Sequence, residues 1–465
     1  MDEFLREIHT LIFKQWVLLR KDEKIKMTVE PNNDNIIYLT TDHGKAIMTF
    51  NKYNIIELQV INTYNQDVEF YLHFQMKTLK HALELYGEML ECLKRLVDRP
   101  ILKILLSCSG GMTTSFFATK MNEAAKLLYL DYQVDAIGYN GLFDIGENYD
   151  VILLAPQISY LYAKVQEILS DQVVLKIPPQ VFAKYNVGKL LNIIKKSLEE
   201  KRKNTQKKNT ITIQTDIQTE QKILSLAIIR NSDRVHIDYR LYGPHHQIIL
   251  NNEIIKPKMN LQDFFDTIDT VLIQEPDIAI IGITLPGIIN DGIISSSSIG
   301  GLVDIHIEDF KSRYSQKIIF SNDVNSAAVG YYASQDKYQT ISILFQPKLY
   351  YAGIGHIING KLLKGRSNIA GEVQYFPLDL SDDKLVLNKT PEGALELVSK
   401  IILCLISTID PEVIVLFCTM IPQVNDLRKE LKKYLPAQYI PEIIKADDLH
   451  EYCLLGQMIL CAQSL

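Results

Sequence analysis

The chain has 465 residues, more than one ordinary core accommodates and enough for about three domains. Hydrophobic residues at 47% and charged residues at 22% exclude an intrinsically disordered protein, and a net charge of −6 gives no support to nucleic-acid binding. The start, Met1-Asp2-Glu3, lacks a basic leader and no apolar run is long enough to span a bilayer. The cysteines (Cys92, Cys108, Cys404, Cys418, Cys453, Cys461) show no CxxC spacing. Buried thiols in a reducing cytoplasm are therefore expected.

In chain order, Phe4, Ile8, Leu11, Ile12 and Trp16 recur at helical spacing and predict an amphipathic helix over residues 2–20. Four β-rich runs follow, at 36–40, 46–50, 55–61 and 68–74, separated by turn residues at 32–35, 42–44 and 62–67. A second helix, 79–96, completes an α+β meander domain over residues 1–98. His43, His73 and His81 are too scattered for a metal site. No helix-turn-helix pattern stands out, and the segment suggests no function.

Residues 101–115 carry the chain's most informative pattern. The apolar Ile104-Leu105-Leu106 reads as a buried parallel strand, and residues 116–129 as the helix after it. Between them lie Cys108, Ser109, Gly110, Gly111, Met112, Thr113, Thr114 and Ser115. A strand-to-helix loop aims unpaired amides at its centre, at the positive end of the helix dipole, and so makes an anion site. Glycines let backbone approach an oxyanion closely, and a thiol at the mouth should have a lowered pKa and act as a nucleophile. An ordinary buried cysteine at a strand end fits the spacing equally well.

The run from Cys108 to Ser115 resembles the phosphocysteine loop of enzyme IIB, lactose/cellobiose class, of the bacterial sugar phosphotransferase system. The resemblance continues through residues 120–125, 149–157 and 160–162, and covers about 102–196. It implies that Cys108 takes phosphate from a histidine of enzyme IIA and passes it to a sugar. The domain, 99–197, should be a doubly wound parallel sheet with strands near 101–106, 133–139, 151–155 and 172–177. Gln157, on the same carboxyl edge as Cys108, is either a further donor to the loop or a turn residue without contact. Residues 198–210, rich in lysine, read as a solvated linker or a basic patch.

In residues 211–465, a buried strand at 277–285 leads to Pro286-Gly287, and a strand at 317–320 leads to Ser321-Asn322-Asp323-Val324-Asn325. A carboxylate between amides at a strand end suits a polyhydroxyl ligand, with Asp323 as base. An Asx turn capping the next helix explains the same residues without a ligand. Together with residues 355–365 and 370–373, these stretches resemble the ROK family of sugar kinases and repressors, which are actin-like and two-lobed. The resemblance implies that Gly287, Asn322, Asp323 and Glu372 line a sugar site, with Asp323 in the base position.

Departures from that family pattern matter. Its first phosphate loop falls on Asp216-Ile217-Gln218-Thr219-Glu220, where glycines are replaced and Glu220 would repel phosphate. Its second falls on Leu349-Tyr350-Tyr351, too bulky for close backbone approach. The zinc-binding histidine is replaced by Tyr375, after Gln374, and the cysteine-rich loop is missing. No ATP, zinc or other cofactor is therefore expected. The foremost reading is a regulator combining an IIA-phosphorylated Cys108 with a non-catalytic sugar-sensing domain. A conventional IIB serving a membrane IIC is the alternative, and an ATP-dependent sugar kinase comes third. Expected partners are enzyme IIA, a membrane IIC in the second reading, and a sugar or sugar phosphate. A homodimer is compatible with the resemblance.

Overall fold

The computed structural model describes the chain apart from residues 1–2, 21, 23, 64–65, 98–101, 111, 129–131, 203–218, 231–233, 291, 296–304, 349 and 422. Helix α1 (Glu3–Leu19) forms as expected but turns Phe13 and Val17 inward with Trp16 packed beside them, while Phe4, Leu11 and Ile12 of the expected stripe are exposed. An antiparallel meander follows: β1 (Lys26–Glu30), β2 (Asn33–Thr40), β3 (Gly44–Phe50), β4 (Ile55–Asn62) and β5 (Val68–Gln75). Strand β3 alternates buried and half-buried residues along its length, the mark of a sheet with one covered face. Helix α2 (Leu79–Val97) covers that face with Leu85, Tyr86, Met89 and Leu93. Each such fully buried side chain contributes about 1.5–3 kcal/mol. Strand β1 was not among the four runs expected, because Lys-Met-Thr-Val-Glu offers little apolar alternation. The turn expected over 32–35 is shorter, since β2 begins at Asn33.

The middle domain is the doubly wound sheet expected. Its elements are β6 (Leu102–Cys108), α3 (Met112–Leu127), β7 (Tyr132–Gly138), α4 (Tyr139–Ile145), β8 (Val151–Leu154), α5 (Tyr162–Ile168), β9 (Val173–Lys176), α6 (Pro179–Ala183) and α7 (Val187–Arg202). The strands are all parallel, in the order β7-β6-β8-β9. Strand β6 lies between two neighbours, which is why Ile104, Leu105 and Leu106 are all fully buried. Two expectations need correction. Helix α3 begins at Met112 rather than 116, and α7 runs to Arg202, so 198–202 is helical rather than linker. Residues 203–210 of the expected linker lie outside the described residues.

The third unit has two lobes. The first holds β10 (Lys222–Arg230), β11 (Val235–Tyr242), β12 (Ile248–Lys256), α8 (Leu261–Gln274), β13 (Ile278–Leu285), β14 (Ile288–Asn290), β15 (Ile293–Ser295), β16 (Ile305–His306), α9 (Ile307–Lys311), β17 (Lys317–Asn322) and α10 (Asp323–Ala333). The second holds β18 (Ile341–Phe345), β19 (Gly353–Ile358), β20 (Lys361–Leu363), α11 (Lys384–Leu387), α12 (Pro391–Thr408), β21 (Val413–Phe417), α13 (Val424–Leu431), β22 (Glu442–Lys445) and α14 (Leu449–Ala462). Each lobe builds its sheet alike: a three-stranded antiparallel meander, then two strands added in parallel to the meander's first strand. The orders β12-β11-β10-β13-β17 and β20-β19-β18-β21-β22 are thus the same topology twice. This is the two-lobed, actin-like architecture expected.

Helices α10 and α14 cross between the lobes at backbone contact. A methyl group at Gly456 would fall 1.8 Å from the Ser326 carbonyl oxygen, and one at Gly330 would fall 2.1 Å from that of Tyr452. Only glycine permits this approach.

How the appended domains attach is decided by contacts distant in the chain. Tyr71 of β5 pairs with Ile255 of β12, so the meander continues the first lobe's sheet to ten strands among the described residues. Polar groups seal this junction. His73 meets the Tyr239 hydroxyl at 2.6 Å, Lys256 lies 2.8 Å from Glu88 and 2.6 Å from Asp263, and His81 lies 2.6 Å from Asp266. The middle domain rests instead on the second lobe. Leu142, Phe143, Val165 and Leu169 share one apolar core with Leu397, Ile401, Ile414 and Leu427. Ion pairs flank it, Lys164–Glu392 at 2.8 Å and Lys445–Glu167 at 2.6 Å. Among the described residues no helix is long and apolar enough to cross a membrane.

Candidate functional site

Cys108 is the last residue of β6, in register with Gly138, where α4 begins. Its thiol is buried and lies 3.2 Å from the Thr114 hydroxyl. Because α3 starts at Met112, Thr113, Thr114 and Ser115 belong to the first helical turn, not to a loop. Amides of such a turn have no partner within the helix and face the strand end. The connecting loop is reduced to Ser109, Gly110 and Gly111; the first two are exposed and Gly111 lies outside the described residues. Thr113 and Ser115 are exposed, while Thr114 is fully buried beside the sulfur. Gln157 follows β8 on the same sheet edge, but its side chain is exposed and meets no hydrogen-bond partner among the described residues. The turn-residue reading fits it better.

The second constellation lies between the lobes. Asn322 caps α10, its side-chain oxygen accepting from the amides of Val324 at 3.1 Å and Asn325 at 3.2 Å. Its side-chain NH2 donates to the Gly287 carbonyl at 3.0 Å, where φ is 120°. The capping explanation therefore holds for Asn322, which shapes the cleft more than it offers a free donor to it. Asp323 is buried, and one oxygen accepts the Val324 amide at 2.8 Å. Burial pushes its carboxyl up to about 6, with backbone hydrogen bonds opposing. Glu372 follows Gly371, whose φ of 90° and close contact with the Ile354 carbonyl leave no room for a side chain. Burial, then the charge of Asp323, pushes Glu372 up to about 7. The structure thus brings Asp323 and Glu372, distant in sequence, within electrostatic reach. Carboxyls that burial keeps protonated to higher pH can donate as well as accept hydrogen bonds with a polyhydroxyl ligand.

The positions of the two phosphate loops fare differently. Asp216, Ile217 and Gln218 lie outside the described residues; Thr219 is buried, and Glu220 is exposed, 3.7 Å from His245. Leu349 lies outside them too, but its neighbours are described. The Tyr350 carbonyl accepts from Gln346 at 3.0 Å and the Pro347 carbonyl from Asn388, which closes the turn on itself. Tyr351 is exposed. Tyr375, at the position of the expected zinc histidine, is exposed as well.

Two residues escaped the sequence reading. Lys348 donates to the Phe143 carbonyl at the end of α4 and pairs with Glu147 at 3.1 Å. The signal, a lone cation beside the bulky Leu349-Tyr350-Tyr351, was legible only as a lost loop. Asn368 of the second lobe donates to the Ile289 carbonyl of the first at 2.8 Å, a bridge between lobes with no sequence signature.

Two family models match this chain, each over a separate stretch. Residues 103–196 match the model of the PTS system lactose/cellobiose specific IIB subunit, and residues 234–394 match that of the ROK family. The oligo-β-mannoside-specific EIIB component of Bacillus subtilis is 37% identical over 65 residues, 14% of this chain and 63% of that protein. The lactose-specific EIICB component of Staphylococcus aureus is 30% identical over 82 residues, 18% of this chain and 14% of that one. Among solved structures, a ROK hexokinase from Thermus thermophilus is 16% identical with a TM-score of 0.42, over 52% of this chain and 98% of that one. The chain joins a domain of the lactose/cellobiose-specific IIB family, residues 103–196, to a domain of the ROK family, residues 234–394.

Proposed function

We propose that this chain is a cytoplasmic regulator linked to the phosphotransferase system. Cys108 takes a phosphoryl group from an enzyme IIA phosphohistidine, and the interlobe cleft binds a sugar or sugar phosphate without phosphorylating it. In the transfer, the thiolate sulfur attacks phosphorus, an S–P bond forms, the N–P bond breaks, and its electron pair returns to the imidazole. Thr114 and the first-turn amides of α3 would hold the phosphoryl oxygens.

The observation that carries the regulatory reading is the seat of α4. It begins beside Cys108 and ends on Lys348, in the turn where a ROK kinase would hold ATP phosphate. A change at the cysteine thus has a short physical route to the lobe bearing Glu372. Lobe closure on a sugar is the two-state element that both events would bias. No ATP, zinc or nucleic acid enters this reading. The exposed Ser109 and Gly110 favour a second one, a conventional IIB that hands phosphate on to a sugar with a membrane IIC.

Phosphotransfer from purified enzyme I, HPr and IIA tests both. Cys108→Ser should abolish labelling and Cys92→Ser should leave it intact; label persisting without Cys108 sinks the proposal. Calorimetry of sugar binding to the free and phosphorylated forms then separates the readings. A regulator requires affinities differing by about 5–150-fold. Equal affinities would mean merely tethered domains and put the conventional IIB ahead.

A further inference from the structure

The N-terminal domain contains a cavity of about 320 Å³ between α1, α2 and the first strands of the meander. Its walls include Trp16, Tyr86, Leu39 and Leu90, with Arg20, Asp22 and Lys94 among the lining residues. We propose that it binds a small aromatic molecule carrying one anionic group, of the aromatic carboxylate class. This site is separate from the cysteine loop and from the cleft.

Size comes first. An apolar cavity of about 150 Å³ holds one benzene ring, so this one has room for one or two rings with a substituent. It also falls within the ordinary range of small-molecule sites, about 300–1,000 Å³. The walls come second. Trp16 and Tyr86 meet edge to face at 5.4 Å and 78°, a corner against which a third ring can pack.

Charge decides the class of ligand. Lys94 is paired with Asp22 at 2.9 Å, so those two cancel. The Arg20 guanidinium stacks 4.2 Å above the Trp16 ring and has no carboxylate partner among the described residues. One positive charge with a planar donor fork is left beside an aromatic wall. A carboxylate on a ring lying along Trp16 answers both features.

Gly87 keeps the space open. It sits within α2, where glycine costs roughly 0.5–1 kcal/mol relative to alanine. Yet a Cβ built there meets nothing within 4 Å, so packing does not require glycine. A larger side chain at this position would grow into the cavity.

The experiment uses the full chain. Trp16 is its single tryptophan, so its emission reports on this cavity alone. The probes are 4-nitrobenzoate, a quencher of the proposed class, and neutral 4-nitrobenzamide, with acrylamide as the collisional reference. Saturable quenching by 4-nitrobenzoate is expected, with the amide roughly tenfold weaker. Arg20→Gln should remove that preference. Gly87→Leu should remove saturation while acrylamide quenching and thermal melting stay as in the parent. If Gly87→Leu does not fold, Leu90→Phe fills the same space. Linear quenching up to about 10 mM 4-nitrobenzoate would overturn the proposal. So would saturation unchanged in the filled variant, and equal affinity for the amide would overturn the anionic class.

Discussion

The carboxyl pair in the cleft makes the stability of the ROK-family lobes depend on pH in a direction opposite to that of most acidic residues. Asp323 is raised from an ordinary 3.8 to about 6 and Glu372 from 4.5 to about 7, both chiefly by burial. Folding therefore takes up protons between the ordinary and raised values. The stability this supplies is complete below about pH 4 and is lost as pH rises through about 6 and then 7. At about 1.4 kcal/mol per pH unit, Asp323 accounts for about 3 kcal/mol. Glu372 adds less than its displacement suggests, since it is partly exposed and part of its rise is the charge of Asp323. The pair together amounts to about 3–5 kcal/mol.

Asp323→Asn keeps an oxygen to accept the Val324 amide but removes the charge. It should be more stable than the parent by about 2–3 kcal/mol near pH 8 and equal to it near pH 4. Urea denaturation from about pH 4 to 8, followed by Trp16 emission, measures this, because the sheet beneath Trp16 is continuous with β17. A parent and a variant with the same pH slope would refute the reasoning, as would a variant destabilised near pH 8.

Other outcomes follow from single contacts. No ATP-dependent phosphorylation of any hexose is expected, since bulky side chains occupy Tyr350 and Tyr351; activity lost on Asp323→Asn would revive the kinase reading. Gly456→Ala forces a methyl against the Ser326 carbonyl and should cost about 2–3 kcal/mol, read as a lowered urea midpoint; an unchanged midpoint contradicts the helix crossing. Lys348→Ala removes a cation from the end of α4 and should loosen it by about 1.5–3 kcal/mol in amide hydrogen exchange over residues 139–147. Unaltered exchange there would mean that the apolar core alone seats the domain.

Local chemistry was legible in the sequence by itself. The apolar runs around Ile104 and Val151 must be buried strands whatever packs on them, because burial on both faces is their only stable state. Cys108 at a strand end before glycines and hydroxyls, and the Asn322-Asp323 cap before an alanine-rich helix, are likewise fixed by residues adjacent in the chain. Where α3 begins was not, since Thr and Ser suit a loop or a first turn equally. Only tertiary structure decided the long-range matters. It set Glu372 near Asp323, joined β5 to β12, and placed Lys348 against the Phe143 carbonyl and Glu147. Each depends on pairing between surfaces far apart in sequence, whose complementarity is spread over many side chains and concentrated in none. A strand edge such as β12 carries the same backbone donors whichever strand it meets, so the partner is chosen by the packing around it.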